Sequence, residues 1–429
     1  MRSEPNSWPW QWLRAAMLYF CAVAAHAQPT AYGQDFVRLG ATWPEGLPGA
    51  EQTGPVAVPA SGQAYVDQLR ELELEQGPYA AGLAEPLDSL GRYYLAQGLH
   101  PQAVAMYSRA LHVVRINDGL YSQRQLPLLR GLLSAYREAK DWETLDERYA
   151  YFFRLLGNGK PPFTELRVRA ALEFLRWQRE ALRLDFPGER RRLLSLINLN
   201  EAILDAVSLD IAAPYAWRRD LAFSQLHNLY LLGQRVEARD EQMIVPGPSD
   251  YIGAKPLSVD LESQQLDSLL RSAPRRGADL VQQLLPAAAL EGTREETAVK
   301  LVLADWYFWH GNQRRATEAY HQVVNALSAA GEDELLQAWL GEPVELPDNG
   351  VFWQPAGTAA DAVTVVNARY DITANGRPRN LEVELVSGSE EVSISGFRRR
   401  LAATLFRPRW STGEAQPALG VSRKYRLLD

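Results

Sequence analysis

The chain has 429 residues, of which 46% are hydrophobic, 10% aromatic and 23% charged. That balance excludes an intrinsically disordered chain and leaves material for two or more packed units. The formal net charge of −7 excludes a surface built to hold nucleic-acid phosphates. Lysine occurs only at Lys140, Lys160, Lys255, Lys300 and Lys424, so arginine carries most of the positive charge. Arginine suits bidentate contacts with carboxylates and phosphates, although a codon-composition bias leaves the same imprint.

The N-terminus reads as an export signal. Arg2 and Arg14 precede an apolar stretch from Ala15 to Ala25, and Ala25-His26-Ala27 supplies a small–x–small cleavage pattern, so cleavage is expected after Ala27. The apolar stretch is shorter than the about 20 residues a bilayer-spanning helix needs, and no later segment is long or apolar enough. Loss of Arg2, Glu4 and Arg14 takes the formal charge from −7 to −8. Cys21, the only cysteine, lies within the signal. A lipoprotein reading needs a small residue before it, and Phe20 is not one. The mature chain is therefore expected to have no disulfide, thiolate nucleophile or cysteine-based zinc site, which a large exported core tolerates.

Residues 28–60, rich in Gly, Pro and Ala, read as an extended leader. Helical periodicity begins near Ser61, where Tyr65, Leu69 and Leu72 share a face. Leu87, Leu90, Gly91 and Tyr94, followed by Ala103, Tyr107 and Ala110, then outline two amphipathic helices joined by a turn at Gly98. Gly91, Ala103 and Ala110 leave room for close helix approach, and Tyr107 fills the gap. All seven positions fit the tetratricopeptide repeat, which this unit resembles. A second unit follows 42 residues on, with Leu129, Leu132, Leu133, Tyr136, Leu145, Tyr149 and Phe152. Its small positions have become large, and such lengthened units resemble the repeats of kinesin light chains.

Residues 160–295 keep a helical period but lose the motif. Val168, Leu172 and Leu175 form one stripe, and Leu193, Leu194, Ile197 and Leu204 another. Phe223, Leu226 and Tyr230, with Gly233 and Ala238, read as a worn repeat. Pro246-Gly247-Pro248 through Pro256 reads as a loop. Leu303, Ala304, Tyr307, Gly311, Ala316, Tyr320 and Val323 restore the motif. The expected architecture is a mostly α, tetratricopeptide-type solenoid over 61–340, its eroded helices stacked with the good ones.

After Gly341-Glu342-Pro343 the period changes from 3.6 to 2. Val366, Ala368, Tyr370 and Ile372 alternate as a strand, Asn375-Gly376 predicts a type I′ hairpin, and Leu381, Val383 and Leu385 return. Ser389-Glu390-Glu391 opens a helix with an apolar face of Phe397, Leu401 and Leu405. Leu419, Val421, Arg423, Tyr425 and Leu427 predict a last strand. This strand–strand–helix–strand order over 350–429, with Tyr370-Asp371-Ile372, Asn375-Gly376-Arg377 and Leu405-Phe406-Arg407-Pro408, resembles the C-terminal domain of the TonB family. The resemblance implies a small α+β domain. The family's inner-membrane helix, Pro-rich linker and Tyr-Pro element are absent here, and Trp353-Gln354-Pro355 is a poor substitute for the last. Energy transduction to an outer-membrane receptor is therefore not expected to carry over.

Motifs of chemistry are missing. His100 and His112 are twelve residues apart and His310 and His321 eleven, unlike the i, i+4 pair of a helical metal site. No Gly-x-Ser-x-Gly elbow, phosphate-binding glycine loop or His-Glu-x-x-His occurs. Glu71, Glu73 and Glu75 point around a helix, and Asp279, Glu291, Glu295 and Glu296 read as solvated faces. Arg190-Arg191-Arg192 and Arg398-Arg399-Arg400 read first as solvated helix surface, and either run also suits a contact with an anionic lipid headgroup or an acidic partner.

By analogy with other tetratricopeptide repeats, the inner faces of the first helices should line a partner groove. These present Asp88, Arg92 and Leu95; then Arg130, Ser134 and Arg137; then Leu301, Asp305, Phe308 and Trp309. A tryptophan beside Arg and Asp suits an interaction hot spot, and the alternative is a Trp packed on a neighbouring helix or on the C-terminal domain. The expectation is a periplasmic scaffold of a Gram-negative bacterium that binds envelope proteins or peptide segments, without cofactor, metal or catalysis. The other reading is a cell-wall or small-ligand binding module with an aromatic-lined pocket.

Overall fold

The computed structural model describes residues 26–27, 36–39, 51–52, 62–184, 186, 188–240, 261–348, 364–388, 394–411 and 413–428. The segment before His26 read as an export signal, most of the stretch read as a leader, the stretch through Pro256 read as a loop, Trp353-Gln354-Pro355 and Ser389-Glu390-Glu391 lie outside them. In chain order come the short strands β1 (His26–Ala27), β2 (Phe36–Arg38) and β3 (Glu51–Gln52). A run of helices follows: α1 (Gly62–Gln76), α2 (Ala84–Ala96), α3 (His100–Asp118), α4 (Gln125–Glu138), α5 (Trp142–Leu155) and α6 (Glu165–Arg183). It continues with α7 (Glu189–Ser208), α8 (Tyr215–Asp240), α9 (Leu261–Glu291), α10 (Thr293–Trp309), α11 (Gln313–Ala329) and α12 (Asp333–Leu340). The C-terminal part holds β4 (Val344–Glu345), β5 (Val365–Ile372), β6 (Pro378–Ser387), α13 (Ile394–Ala403), β7 (Phe406–Arg407), β8 (Arg409–Ser411), β9 (Glu414–Gln416) and β10 (Ala418–Leu427). A mostly helical array followed by a small α+β region is thus the fold. Among the described residues no helix is long and apolar enough to cross a membrane.

One joint recurs between helices. A residue with positive φ stops the helix, and the next N–H reaches back to a carbonyl five residues earlier, the Schellman arrangement that satisfies an orphan helix-end acceptor. Leu99 bonds Tyr94 at 2.9 Å past Gly98, Asn312 bonds Tyr307 at 2.9 Å past Gly311, and Glu332 bonds Leu327 at 3.0 Å past Gly331. Asp141 bonds Tyr136 at 3.0 Å past Lys140, which holds φ 57° without the freedom of glycine.

The described residues fall into two compact units, one with β1, β3 and the helices through Leu145, the other with β2 and everything from Asp146. In the first, Tyr107 is 1% exposed between α2 and α4. A Cβ at Gly91 would lie 2.7 Å from its ring and one at Gly131 2.4 Å from it. Gly91 is therefore half of a pair of glycines that clasp the tyrosine. Leu87, Leu90, Ala103 and Ala110 are buried beside it, with Tyr94 half-buried.

In the second unit a continuous core runs from Phe153 through α11 and takes in Leu340, Leu346 and Leu405. Tyr307, Ala316 and Tyr320 are buried in it. The worn repeat around Gly233 does not break: α8 is one helix of 26 residues. A single interior glycine costs about 1 kcal/mol of helix propensity, and the buried run Leu229, Tyr230, Leu231 and Leu232 outweighs it. Trp306 is fully buried on Gly277, and its indole N–H donates to the Pro274 carbonyl at 2.9 Å.

The C-terminal sheet is antiparallel in the order β2-β10-β5-β6. Phe36, from the stretch read as leader, is 1% exposed and packs edge-on against Phe397 and Tyr425. Phe397 and Leu401 from α13 cover the same face as Val366, Ala368, Tyr370 and Ile372. Three local expectations are corrected. Asn375-Gly376 is not a type I′ turn, because only Gly376 has positive φ. The loop closes through Gly376 N–H to Thr373 and Thr373 N–H to Arg377, while Phe406 N–H bonds the Gly376 carbonyl at 2.9 Å. Leu405 lies beyond α13 and joins the helical core instead of the helix face. Leu419 is 80% exposed, because a register shift between Ala418 and Val421 turns it outward.

Candidate functional site

Asp88, Arg92, Arg130 and Arg137 lie in the first unit, and Asp305 and Trp309 in the second. Asp88 and Arg92 pair along α2 at 3.0 Å, and Arg92 also donates to Ser89 at 3.2 Å. Burial raises the Asp88 carboxyl, with Arg92 opposing and Glu85 adding to the rise. Asp88, Arg92 and Glu138 all act on the Tyr107 hydroxyl, which burial raises. The α2 and α4 faces thus meet around that ring. Arg130 and Arg137 are half-buried on α4.

Asp305 is a correction. It is 5% exposed, accepts from Tyr320 Oη at 2.7 Å and faces Arg407 at 3.2 Å, so it serves an internal joint and not an open groove. Arg407 comes from β7 and also meets Asp348 at 2.5 Å. Burial raises Asp305 to about 6, with Arg407 opposing, Asp348 adding to the rise and Tyr320 opposing. Trp309 is half-buried and meets Tyr230 edge-on at 5.1 Å, and Phe308 lies under the β5–β6 turn at Gly376. The packed alternative describes these aromatics.

Other surface groups are also engaged. Glu295, read as a solvated face, accepts from Tyr215 and Arg219 of α8, each at 3.1 Å. Within the first arginine run, Arg192 pairs with Asp146 at 2.8 Å and donates to Gln178 at 2.7 Å. His310 is lowered to about 4 by burial against the helical core. Among the described residues no group of three His, Cys, Asp or Glu could hold a metal ion.

An open concavity lies where the repeat motif is weakest. Stripes from α7 (Glu201, Leu204, Asp205, Ser208), α8 (Tyr215, Arg218, Ala222, Gln225, Leu229) and α9 (Arg276, Asp279, Leu280, Gln283, Leu284, Ala287) line an open groove of ≈ 440 Å³. Leucine and alanine form its floor, and charged groups form its rim. Its base is held by a buried polar ladder. Gln225 donates to the Ile197 carbonyl at 3.1 Å, Asn228 donates to Gln225 at 2.8 Å, and Arg179 of α6 donates to Asn228 at 2.8 Å. Asn200 adds a bond to the Leu221 carbonyl at 2.9 Å. Buried polar groups linked this way resist sliding of one helix past another, since a shift strands several at once. The sequence signal for the groove was the i, i+3/i+4, i+7 recurrence of polar groups opposite each apolar stripe, which solvated helix faces share.

A smaller crevice of ≈ 270 Å³ is lined by Phe308, Trp309, Gly311, Gln313, Asn375, Arg377 and Leu405. It lies where the α10–α11 turn meets the β5–β6 turn. β6 is an edge strand of the described sheet, with Glu382 and Glu384 exposed along it. Comparison with protein-family models and with curated proteins found no match for this chain.

Proposed function

We propose that the chain is an exported scaffold or adaptor of the bacterial envelope, which holds protein segments on a helical-repeat surface. The motif spacing of the two best units and the recurrent Schellman joint support a tetratricopeptide-type solenoid. The strand–strand–helix–strand order supports a TonB-like C-terminal domain, whose β6 edge offers main-chain groups for strand addition by a second partner. Arg2, Arg14, the apolar stretch and Ala25-His26-Ala27 support export to the periplasm of a Gram-negative cell. The observation that carries the reading is the α7–α9 groove, open, apolar-floored and charged at the rim. That composition suits recognition of a peptide. No chemistry is part of the reading, in keeping with the lack of a nucleophile–base or metal motif in the sequence.

The test is in-cell crosslinking of the tagged full chain, with mass spectrometry of the products. One or two defined envelope proteins, captured reproducibly, support the adaptor. Wall fragments, a small molecule or no product would favour a cell-wall or small-ligand binding module. The specific observation behind that second reading is the crevice at Trp309, where an aromatic wall faces Gln313, Asn375 and Arg377.

A further inference from the structure

The α10–α11 and β5–β6 turns meet around the ≈ 270 Å³ crevice, a volume just under the usual range for small-molecule sites. It admits one ring- or leucine-sized group with a polar head. One wall is apolar, with Phe308 and Leu405 buried and Trp309 half-buried. The other is polar, with Gln313, Asn375 and Arg377 exposed. No Asp or Glu is among the residues that line it, so its one charge is the Arg377 guanidinium.

That arginine is held in place and still has donors to give. Its N–H donates to Thr373 Oγ1 and its carbonyl accepts from the Thr373 N–H, each at 3.1 Å. Beside it Gly376, at φ 69°, accepts from the Phe406 N–H at 2.9 Å. A Cβ on Gly376 would lie 2.9 Å from the Phe308 ring, so the turn sits directly on the apolar wall. At the tip of the side chain, Arg377 Nη1 donates to the Ala403 carbonyl at 3.3 Å, which leaves the other guanidinium N–H groups open. Among the described residues no carboxylate pairs with it. Asp371, near the end of β5, is taken by Asn380 Nδ2 at 2.7 Å and the Gly420 N–H at 2.8 Å. A planar fork of donors favours a carboxylate, which it can meet with two parallel hydrogen bonds. The aromatic wall beside it favours an apolar body attached to that carboxylate.

We propose that this crevice binds a carboxylate borne on one apolar, ring- or leucine-sized group. The Arg377 guanidinium holds the carboxylate, Trp309 holds the apolar body, and the side-chain amides of Gln313 and Asn375 serve any peptide-like group between them. The inference rests on the second reading of the crevice, as a small-ligand site, and names the chemistry of its ligand.

Isothermal titration calorimetry of the full chain with N-acetylphenylalanine and with its amide tests it. The acid should bind at least about ten-fold tighter than the amide. Arg377→Gln should bring the acid down to the level of the amide, and Arg377→Lys should restore part of the difference. Trp309→Leu should weaken acid and amide alike. Arg379→Gln removes an exposed arginine of β6 and should leave both unchanged. A tetrapeptide ending in phenylalanine separates the two sources of such a carboxylate. Equal affinity with the single residue marks a small free acid, and tighter binding marks the C-terminus of a protein.

Equal binding of acid and amide, binding of neither, or an equal effect of Arg379→Gln would overturn the proposal. Both arginines are exposed, and circular dichroism checks that each variant is folded. If the cell yields wall fragments or a small molecule while the acid shows no preference, the crevice assignment fails and the small-ligand reading stands. If the acid binds through Arg377 while only envelope proteins are captured, the crevice stands and the small-ligand reading fails as the main role of the chain.

Discussion

Two buried carboxylates in the second unit face arginine, yet burial and charge resolve in opposite directions. Burial alone would raise Glu345, but Arg423 at 2.8 Å, Arg38 at 3.1 Å and the Tyr425 hydroxyl at 2.7 Å hold its carboxyl below the ordinary glutamate range. Burial likewise raises Asp305, and there it prevails, to about 6. The difference lies in the ratio of cations to anions. Glu345 has two guanidiniums, whereas Asp305 shares the single Arg407 with Asp348. A buried acid falls below its ordinary pKa when donors and opposite charge exceed its desolvation cost, and one shared arginine does not suffice.

The largest effect expected from this contrast is at Arg407. Arg407→Met leaves two carboxylates facing each other in a buried joint and should cost about 3–5 kcal/mol, read as a lower urea midpoint. A loss near zero would mean the joint is wet or unformed. Glu345→Gln should cost less, about 2–3 kcal/mol, because Arg423 keeps other acceptors. One of these is the Pro343 carbonyl, and Arg38 is 22% exposed and can rehydrate.

The pH dependence should separate the two sites. The raised Asp305 carboxyl makes its charged form costly in the folded state. That cost is present above about 6 and is relieved as pH falls toward the ordinary value of 3.8, a gain of at most roughly 3 kcal/mol. Glu345 has the opposite sign: its contribution is present above the ordinary 4.5 and is lost as pH falls through its lowered folded value. Urea unfolding of the native chain and of Asp305→Asn between pH 7 and pH 4 reads the first effect. The native chain should gain on the variant as pH falls, and a constant gap would refute an elevated Asp305. The smallest change is expected from Arg38→Ala, no more than about 1 kcal/mol, because a part-exposed guanidinium is screened and Arg423 remains. A larger loss would show that β2 contributes more to the sheet than its three residues suggest.

Periodicity and glycine spacing made the local fold legible. Leu87, Gly91, Ala103, Tyr107 and Ala110, and again Tyr307, Gly311, Ala316 and Tyr320, occupy the helix-turn-helix positions their spacing predicts. Local sequence carries these features because a left-handed cap and an amphipathic stripe need only neighbours in the chain. Gly131 escaped notice because it lies outside the motif positions of its own unit, and the ring it meets, Tyr107, belongs to the unit before. The same limit explains the site. Asp305 looked like a groove residue because helical spacing alone cannot say whether a flank meets water or a strand from a hundred residues onward. The α7–α9 groove was hidden because each of its walls, taken singly, is an ordinary polar helix face.

By itself the sequence determined the helical array, the change of period to a small α+β region and the glycine-marked joints, all properties of short segments. Tertiary structure alone decided that Phe36 completes the C-terminal core, that Leu405 belongs to the helical one, and that Arg407 is shared by Asp305 and Asp348. These pairings join residues far apart in the chain, and their energies depend on burial and on how many charges meet at one point. No spacing rule along the sequence encodes that number.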